Sequence, residues 1–81
     1  MNLSEHWQQT PRSLIRLYKF KNFREALAFT NSVGAIAESQ KHHPDLRLGW
    51  GYVEITVTTH DAGHTLTEKD FLLAGAIDQI I

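Results

Sequence analysis

The sequence predicts an α+β fold: a two-layer sandwich in which a four-stranded antiparallel sheet carries both helices on one face, in the order β-β-α-β-β-α. Two segments, over 23–40 and 67–81, repeat apolar residues at helical spacing, and a third alternates between apolar and polar residues over 53–58. Neither a repeat nor a linker interrupts the 81 residues, and that length is typical of one domain. We therefore expect a single domain over 1–81.

Two strands are expected before the first helix. Residues 13–20 read SLIRLYKF, and this run of aliphatic and aromatic side chains after a proline is typical of a strand. A short strand around Trp7 can pair with it across a turn at 9–12. These two segments supply the first half of the predicted sheet.

The first helix is predicted over 23–40. Asn22 and Glu25 match a capping box, in which Asn22 accepts from a free amide of the first turn and Glu25 reaches back. We expect Pro44 to stop the helix, because the residue before a proline is pushed out of the α region. Gly34, inside the helix, is expected to mark close packing and not a break.

The second half of the chain predicts two strands and a second helix. Residues 47–60 form two strands joined by a tight turn at 49–51, and the alternation places His60 on the polar side of the second. A loop over 61–64 follows. The second helix starts at 67–70, and its predicted apolar face consists of Phe71, Ala74, Ile77 and Ile81.

Composition and charge exclude several partners. With 8 Lys and Arg, 9 Asp and Glu and a net charge of −1, the chain lacks the basic stripe of a phosphate-binding surface, so direct nucleic-acid binding is not expected. No run approaches the ~18 apolar residues of a membrane span, and the first residues do not resemble a secretory signal. We therefore expect a cytoplasmic protein with no membrane partner. A chain of this size buries only about two-thirds of its unfolded surface, and without cysteines no disulfide can compensate, so oligomerisation is expected.

Four of the five histidines lie in two groups: His42 and His43 at the end of the first helix, and His60 and His64 around the loop after the hairpin. Imidazole titrates near neutrality, and adjacent imidazoles disfavour double protonation, so one can donate a proton while another accepts. As an alternative, His42 caps helical carbonyls, and His60 and His64 are exposed residues without a role. A zinc site of His42, His60 and His64 is a third interpretation, but no cysteine joins it, and no metal is expected.

Two motifs in these segments resemble those of a known family. Residues 38–44 read ESQKHHP, which resembles the E-x-x-x-H-H-P signature of the pterin-4a-carbinolamine dehydratases. Residues 59–61 read THD and resemble the family's second signature, T-H-[DE], and the separation of the two signatures also agrees with the family pattern. The similarity extends over nearly the whole chain, from Trp7 to Asp78.

The resemblance implies a fold, an activity and a mechanism. Members share the β-β-α-β-β-α fold, form dimers or tetramers, and need no metal or organic cofactor. They dehydrate 4a-hydroxytetrahydrobiopterin, the carbinolamine that aromatic amino acid hydroxylases leave, to quinonoid dihydropterin, and so support tetrahydrobiopterin recycling. The histidines that match His42, His43 and His60 surround the pterin in the family. His42 and His60 are expected to be the principal acid–base pair, and His43 to bind the pterin or assist.

Five further residues are expected to bind the pterin or shape its site: Trp7, Glu38, Pro44, Thr59 and Asp61. Glu38 lies one turn before His42, so its carboxylate can orient that ring, or it is an ordinary exposed carboxylate. Trp7 can flank the flat pterin, although burial at a strand start is the simpler interpretation. Pro44 is expected to fix the turn that presents the histidines, and Asp61 can hold a pterin nitrogen or merely turn the chain.

The sequence departs from the family pattern in the loop after the second signature. Family members usually have Gly-Gly-Leu-Thr there, whereas this chain has GHTLT over 63–67, one residue longer and with His64 in place of the second glycine. If that glycine has a positive φ, His64 must adopt it at some cost or the loop must change path.

A non-catalytic function is the alternative to the enzyme. Some animal relatives also act as dimerisation cofactors for a transcription factor, so a pterin-binding or protein-interaction module is the second hypothesis. Retention of all three matching histidines favours the enzyme, because a chemically silent paralogue would be free to lose them.

Overall fold

The computed structural model describes residues 6–80 and has the expected two-layer α+β architecture. In chain order the elements are β1 (Gln8–Gln9), β2 (Leu14–Lys19), α1 (Phe23–Gln40), β3 (Asp45–Gly49), β4 (Tyr52–Val57), a 3₁₀ turn at His60–Ala62, and α2 (Glu68–Asp78). The strands form one antiparallel sheet in the order β1-β2-β4-β3, so the predicted order of elements is confirmed. Within the described part of the chain, neither helix is long and apolar enough to cross a membrane.

The core lies between the sheet and the two helices, which pack on each other and on β4. Across β2 and β4, Leu14 is opposite Val57 and Tyr18 is opposite Val53. On β4 the buried side chains recur at every second position, as expected for a strand with one face on the core. The large apolar side chains of the two layers that are fully buried are Leu14, Val33, Val53, Ile55, Val57, Leu73 and Ile77. Burial of each stabilises the fold by roughly 1.5–3 kcal/mol.

The element bounds differ from the predicted ones in the second half of the chain. β3 begins two residues earlier than expected, at Asp45, and β4 ends at Val57, so the strand does not reach residue 60. On α2 the buried stripe consists of Asp70, Leu73, Ala74 and Ile77, which is rotated from the predicted face because the polar Asp70 occupies a buried position. Phe71 is only partly buried, and Ile81 lies outside the described residues.

The start of α1 is the predicted one, but its capping box is only half formed. The Asn22 side-chain oxygen accepts from the Glu25 amide at 2.9 Å, which satisfies one of the free donors of the first turn. The Glu25 carboxylate reaches back one residue further than expected and accepts from the Lys21 amide at 3.3 Å. Glu25 therefore binds the residue before the N-cap, and not the N-cap amide itself.

The end of α1 is made by a left-handed residue and not by Pro44. Lys41 has φ 54, and its amide donates to the Glu38 carbonyl at 3.2 Å. The next amide, that of His42, donates to the Ala37 carbonyl at 3.1 Å. These two hydrogen bonds form a Schellman motif, which satisfies the last helical carbonyls. The chain has therefore left the helix before Pro44 is reached, and the prediction that Pro44 stops it is wrong.

Gly34 does not pack closely against a neighbour, contrary to the prediction, because a Cβ built on it meets nothing within 4 Å. We expect Gly34→Ala to raise the free energy of unfolding by about 0.5–1 kcal/mol, since alanine loses less backbone entropy in a helix. Denaturant unfolding of the variant and the wild type measures the change. Ala35→Gly is the matched control, because Ala35 is an exposed neighbour in the same helix, and it should lower stability by a similar amount. A less stable Gly34→Ala would contradict the open space seen at this position.

Candidate active site

A cavity of about 160 Å³ lies where the end of α1, the exit of β4 and the first turn of α2 meet. Its lining contains the three predicted acid–base residues together with two of the predicted binding residues: His42, His43, His60, Thr59 and Asp61. Lys41 and Lys69 complete the lining and were not expected. The two signatures are 15 residues apart in the chain between Pro44 and Thr59, so it is the fold that brings them to one place.

His42 is the buried member of the histidine group, with 8% of its surface exposed. Its Nε2 lies 2.6 Å from Oδ1 of Asp70, which is fully buried. Because an ionised carboxylate only accepts, the proton of this hydrogen bond belongs on Nε2. Nδ1 is then the nitrogen of His42 that remains for a ligand.

Asp70 is held in its ionised form by the hydrogen bonds around it. Its Oδ2 accepts from the Thr59 hydroxyl at 2.7 Å and from the Thr67 amide at 2.8 Å. Burial by itself raises the pKa of Asp70, but the hydrogen bonds from His42, Thr59 and Thr67 outweigh it and lower the pKa below its ordinary value. The carboxylate therefore fixes the ring and tautomer of His42.

Asp70 was not among the predicted site residues. The available signal was the spacing of Thr67 and Asp70, which is that of a helix N-cap and its third residue. The structure confirms this local role, since the Asp70 carboxylate accepts from the Thr67 amide. The same carboxylate also serves His42, 28 residues earlier, and no local pattern indicates that contact.

Glu38 contacts His43 and not His42, so the expected orientation of His42 by Glu38 is wrong. The Glu38 carboxylate lies 2.7 Å from Nε2 of His43, and both side chains are mostly exposed. The reason is the left-handed turn at Lys41, because it breaks the helical spacing that would place Glu38 beside a residue four positions later. The two adjacent histidines consequently have different partners and different burial.

The opposite wall of the cavity is the segment that follows β4. The expected loop at 61–64 overlaps a one-turn 3₁₀ helix, His60–Ala62, which is closed by Gly63 with φ 76 and followed by His64 with φ 57. His64 thus has a positive φ, which is one of the two outcomes considered for this position. A left-handed backbone at a residue other than glycine costs on the order of 1–3 kcal/mol. The His64 ring lies against the His60 ring, with centroids 4.8 Å apart and planes at 87°.

Three of the predicted binding residues lie outside the lining of the cavity: Trp7, Glu38 and Pro44. Trp7 is 8% exposed and belongs to the core, and its Nε1 donates to Oδ1 of Asp78 at 2.7 Å. Arg16 donates to the same oxygen, so the ring is fixed at the far end of α2. Pro44 is partly buried just beyond the two histidines.

The hydroxyl of Thr59 faces Asp70 and the Thr67 hydroxyl, which lies 2.7 Å away. Within residues 6–80, no three His, Asp or Glu side chains are grouped so that they could hold a metal ion. What the cavity does offer is three imidazoles, one of them in a fixed tautomer, together with exposed charged groups at its rim. Imidazoles are common general acids and bases in proteins, so this set is suited to exchanging protons with a ligand.

Comparison with known proteins identifies relatives over almost the full length of the chain. The family model described as "Pterin 4 alpha carbinolamine dehydratase" matches residues 1–80. A protein of Rubrobacter xylanophilus named "Putative pterin-4-alpha-carbinolamine dehydratase" is 54% identical over 83% of this chain and 62% of its own length. One of the same name from Alkaliphilus metalliredigens is 46% identical over 95% of this chain and 69% of its own length. The chain thus spans about two-thirds of these relatives.

Solved structures support the same fold. A crystal structure of a "transcriptional coactivator/pterin dehydratase" from Brucella melitensis superposes with a TM-score of 0.85, at 29% identity, over 94% of this chain and 82% of the other. A "pterin dehydratase-like protein" described as a RuBisCO assembly factor in the alpha-carboxysome superposes with a TM-score of 0.72 over 91% of this chain and 84% of the other. At 24% identity, this second likeness concerns the fold alone.

Proposed function

The chain belongs to the pterin 4 alpha carbinolamine dehydratase family, and from that membership we propose that it removes water from 4a-hydroxytetrahydrobiopterin to give quinonoid dihydropterin. The observation that carries the proposal is the cavity in which the histidines of both signatures meet, His42, His43 and His60. The reaction needs one group that donates a proton and another that accepts one. Imidazoles supply both near neutral pH.

The elimination balances with two proton transfers. An imidazolium protonates the 4a-hydroxyl, the C4a–O bond breaks, and water leaves. A neutral imidazole takes the N5 proton, and the electron pair of the N5–H bond forms the C4a–N5 double bond. We assign these transfers to His42 and His60, with His43 binding the pterin or assisting. In this assignment His42 acts through Nδ1, because its Nε2 is engaged by Asp70.

The partners that we propose are a pterin and further copies of the same chain. Large apolar side chains that stay exposed in one copy are Leu17, Phe23, Leu27, Trp50 and Leu72, and a thin core benefits from covering such surface. We propose a cytoplasmic homodimer or homotetramer that works with an aromatic amino acid hydroxylase and supports tetrahydrobiopterin recycling. It binds neither nucleic acid nor membrane in this proposal, and it uses no cofactor.

The test is dehydration of chemically generated 4a-hydroxytetrahydropterin, followed by ultraviolet absorbance. We expect the purified protein to accelerate the reaction over the spontaneous rate, and dialysis against a chelator to leave the acceleration intact. Folded protein that gives no acceleration would overturn the proposed activity. Activity lost on chelation and restored by zinc would overturn the proposed histidine chemistry.

A non-catalytic pterin-binding or protein-interaction module is the second candidate. It is favoured by the description of the Brucella melitensis structure as a transcriptional coactivator as well as a pterin dehydratase. Calorimetric titration with a stable tetrahydropterin separates the two candidates: binding without turnover of the carbinolamine supports the module.

A further inference from the structure

Each of the three cavity histidines has one side-chain neighbour that restricts its ring. The ring of His42 is hydrogen-bonded to the Asp70 carboxylate, and the ring of His43 is hydrogen-bonded to the Glu38 carboxylate. Within residues 6–80, no hydrogen bond is made to the ring of His60, and the side chain is exposed. Its restricting neighbour is the ring of His64, with centroids 4.8 Å apart and planes at 87°.

The contact between His60 and His64 has the geometry of an attractive aromatic pair. Perpendicular rings at about 4.5–7 Å place the positive edge of one against the negative face of the other. His64 itself does not line the cavity. It therefore reaches a bound pterin only through His60, by limiting the rotation of that ring.

The backbone holds His64 in place for this contact. The Thr59 amide donates to the Thr65 carbonyl at 3.0 Å, and the Gly63 amide donates to the His60 carbonyl at 3.1 Å. In this turn His64 has φ 57, a conformation that glycine adopts at far less cost. A side chain that is present in spite of that cost points to a role for the side chain itself.

We propose that His64 is a positioning residue that holds the His60 imidazole in the orientation in which it exchanges a proton with the pterin. The proposal rests on the proposed function and deepens it. It concerns a residue of the extended loop by which this chain departs from the usual family sequence.

Two variants of His64 separate the ring contact from the rest of the side chain. His64→Asn keeps a residue that tolerates the left-handed backbone but removes the ring. His64→Phe keeps a ring of similar shape without a titratable nitrogen. We expect kcat for carbinolamine dehydration to fall about tenfold in His64→Asn, with KM changed by less than about twofold, and to stay near the wild-type value in His64→Phe.

The deciding readout does not depend on activity. In histidine-edited NMR spectra, with the signals of His60 identified by their loss in His60→Ala, the His60 ring protons should shift when His64→Asn removes the neighbouring ring current. Unchanged His60 signals in His64→Asn would overturn the contact, and a kcat in His64→Phe as low as in His64→Asn would overturn positioning by the ring. If His64→Asn lost thermal stability but kept the wild-type kcat, His64 would have a merely structural role and the proposal would be overturned. If the His60 signals shift as expected in His64→Asn but the wild-type protein has no dehydratase activity, the proposed function is overturned while the contact stands.

Discussion

Replacement of His60 by alanine is expected to lower kcat for carbinolamine dehydration by about 10²–10⁴-fold, the range typical of a lost general acid or base. The fold should be almost unaffected, because the His60 side chain is exposed and, within residues 6–80, its ring makes no hydrogen bond. Absorbance kinetics measure the first effect and denaturant unfolding the second. The combination of a large catalytic loss with little loss of stability identifies a residue that acts on the substrate.

The matched control for this variant is His6→Ala. His6 is also an exposed histidine, but it does not line the cavity, so its replacement should leave kcat within about twofold of the wild-type value. If His60→Ala retained most of the wild-type kcat, His60 would have no place in the acid–base pair, and His43 would become the candidate partner of His42.

Replacement of Asp70 by alanine is expected to be the most destabilising change in the site, at about 3–5 kcal/mol, because three buried groups lose their acceptor and each such loss costs about 1–3 kcal/mol. The variant leaves His42, the Thr59 hydroxyl and the Thr67 amide without their acceptor in a buried place. Asp70→Asn is the matched variant, since it keeps the shape and one acceptor oxygen. It should cost less, about 1–3 kcal/mol, and should also lower kcat, because an amide does not fix the His42 tautomer as a carboxylate does.

The pH dependence of stability gives a second test of Asp70. Its pKa is lower in the folded protein than the ordinary value of 3.8, so on acidification the unfolded chain takes up a proton first. The stabilisation from Asp70 is therefore fully present above about pH 4 and is lost as the pH falls toward the folded pKa. Urea unfolding at a series of acidic pH values should show this loss in the wild type and a weaker dependence in Asp70→Asn. An equal acid dependence in the two proteins would mean that another carboxyl group is responsible.

The parts of the fold that the sequence predicts well are those with local signals. The start of α1 is the predicted one, because apolar periodicity and the side chain of Asn22 act within a few residues. Its end at Gln40 also agrees with the prediction, although the left-handed Lys41 makes it and Pro44 does not. The close packing expected at Gly34 was wrong, since the space around a helical residue depends on the elements that surround it. The left-handed conformation of Lys41 does not follow from the sequence, because the left-handed residue at a helix end is usually glycine or asparagine.

In the candidate site, too, local motifs predict which residues are present, but not the contacts that they make with distant parts of the chain. The two signatures identify His42, His43 and His60 as neighbours, and the structure places all three around one cavity. Their partners did not follow from spacing, since Glu38 contacts the second histidine of the pair and Asp70 contacts the first. The contact between His42 and Asp70 spans 28 residues of the chain and depends on the packing of α2 on α1. Such packing cannot be read from a short stretch of sequence.

The shared carboxylate of Asp70 has a consequence for the native-state fluctuations of the protein. It joins the segment that follows α1, at His42, the segment that follows β4, at Thr59, and the first turn of α2 through one buried group. These three segments therefore belong to one cooperative unit, and a local opening of any of them releases the other two. Under the proposed function, a pterin that binds the closed arrangement suppresses the opening of all three, so that occupancy of the site and fraying at the start of α2 are thermodynamically linked.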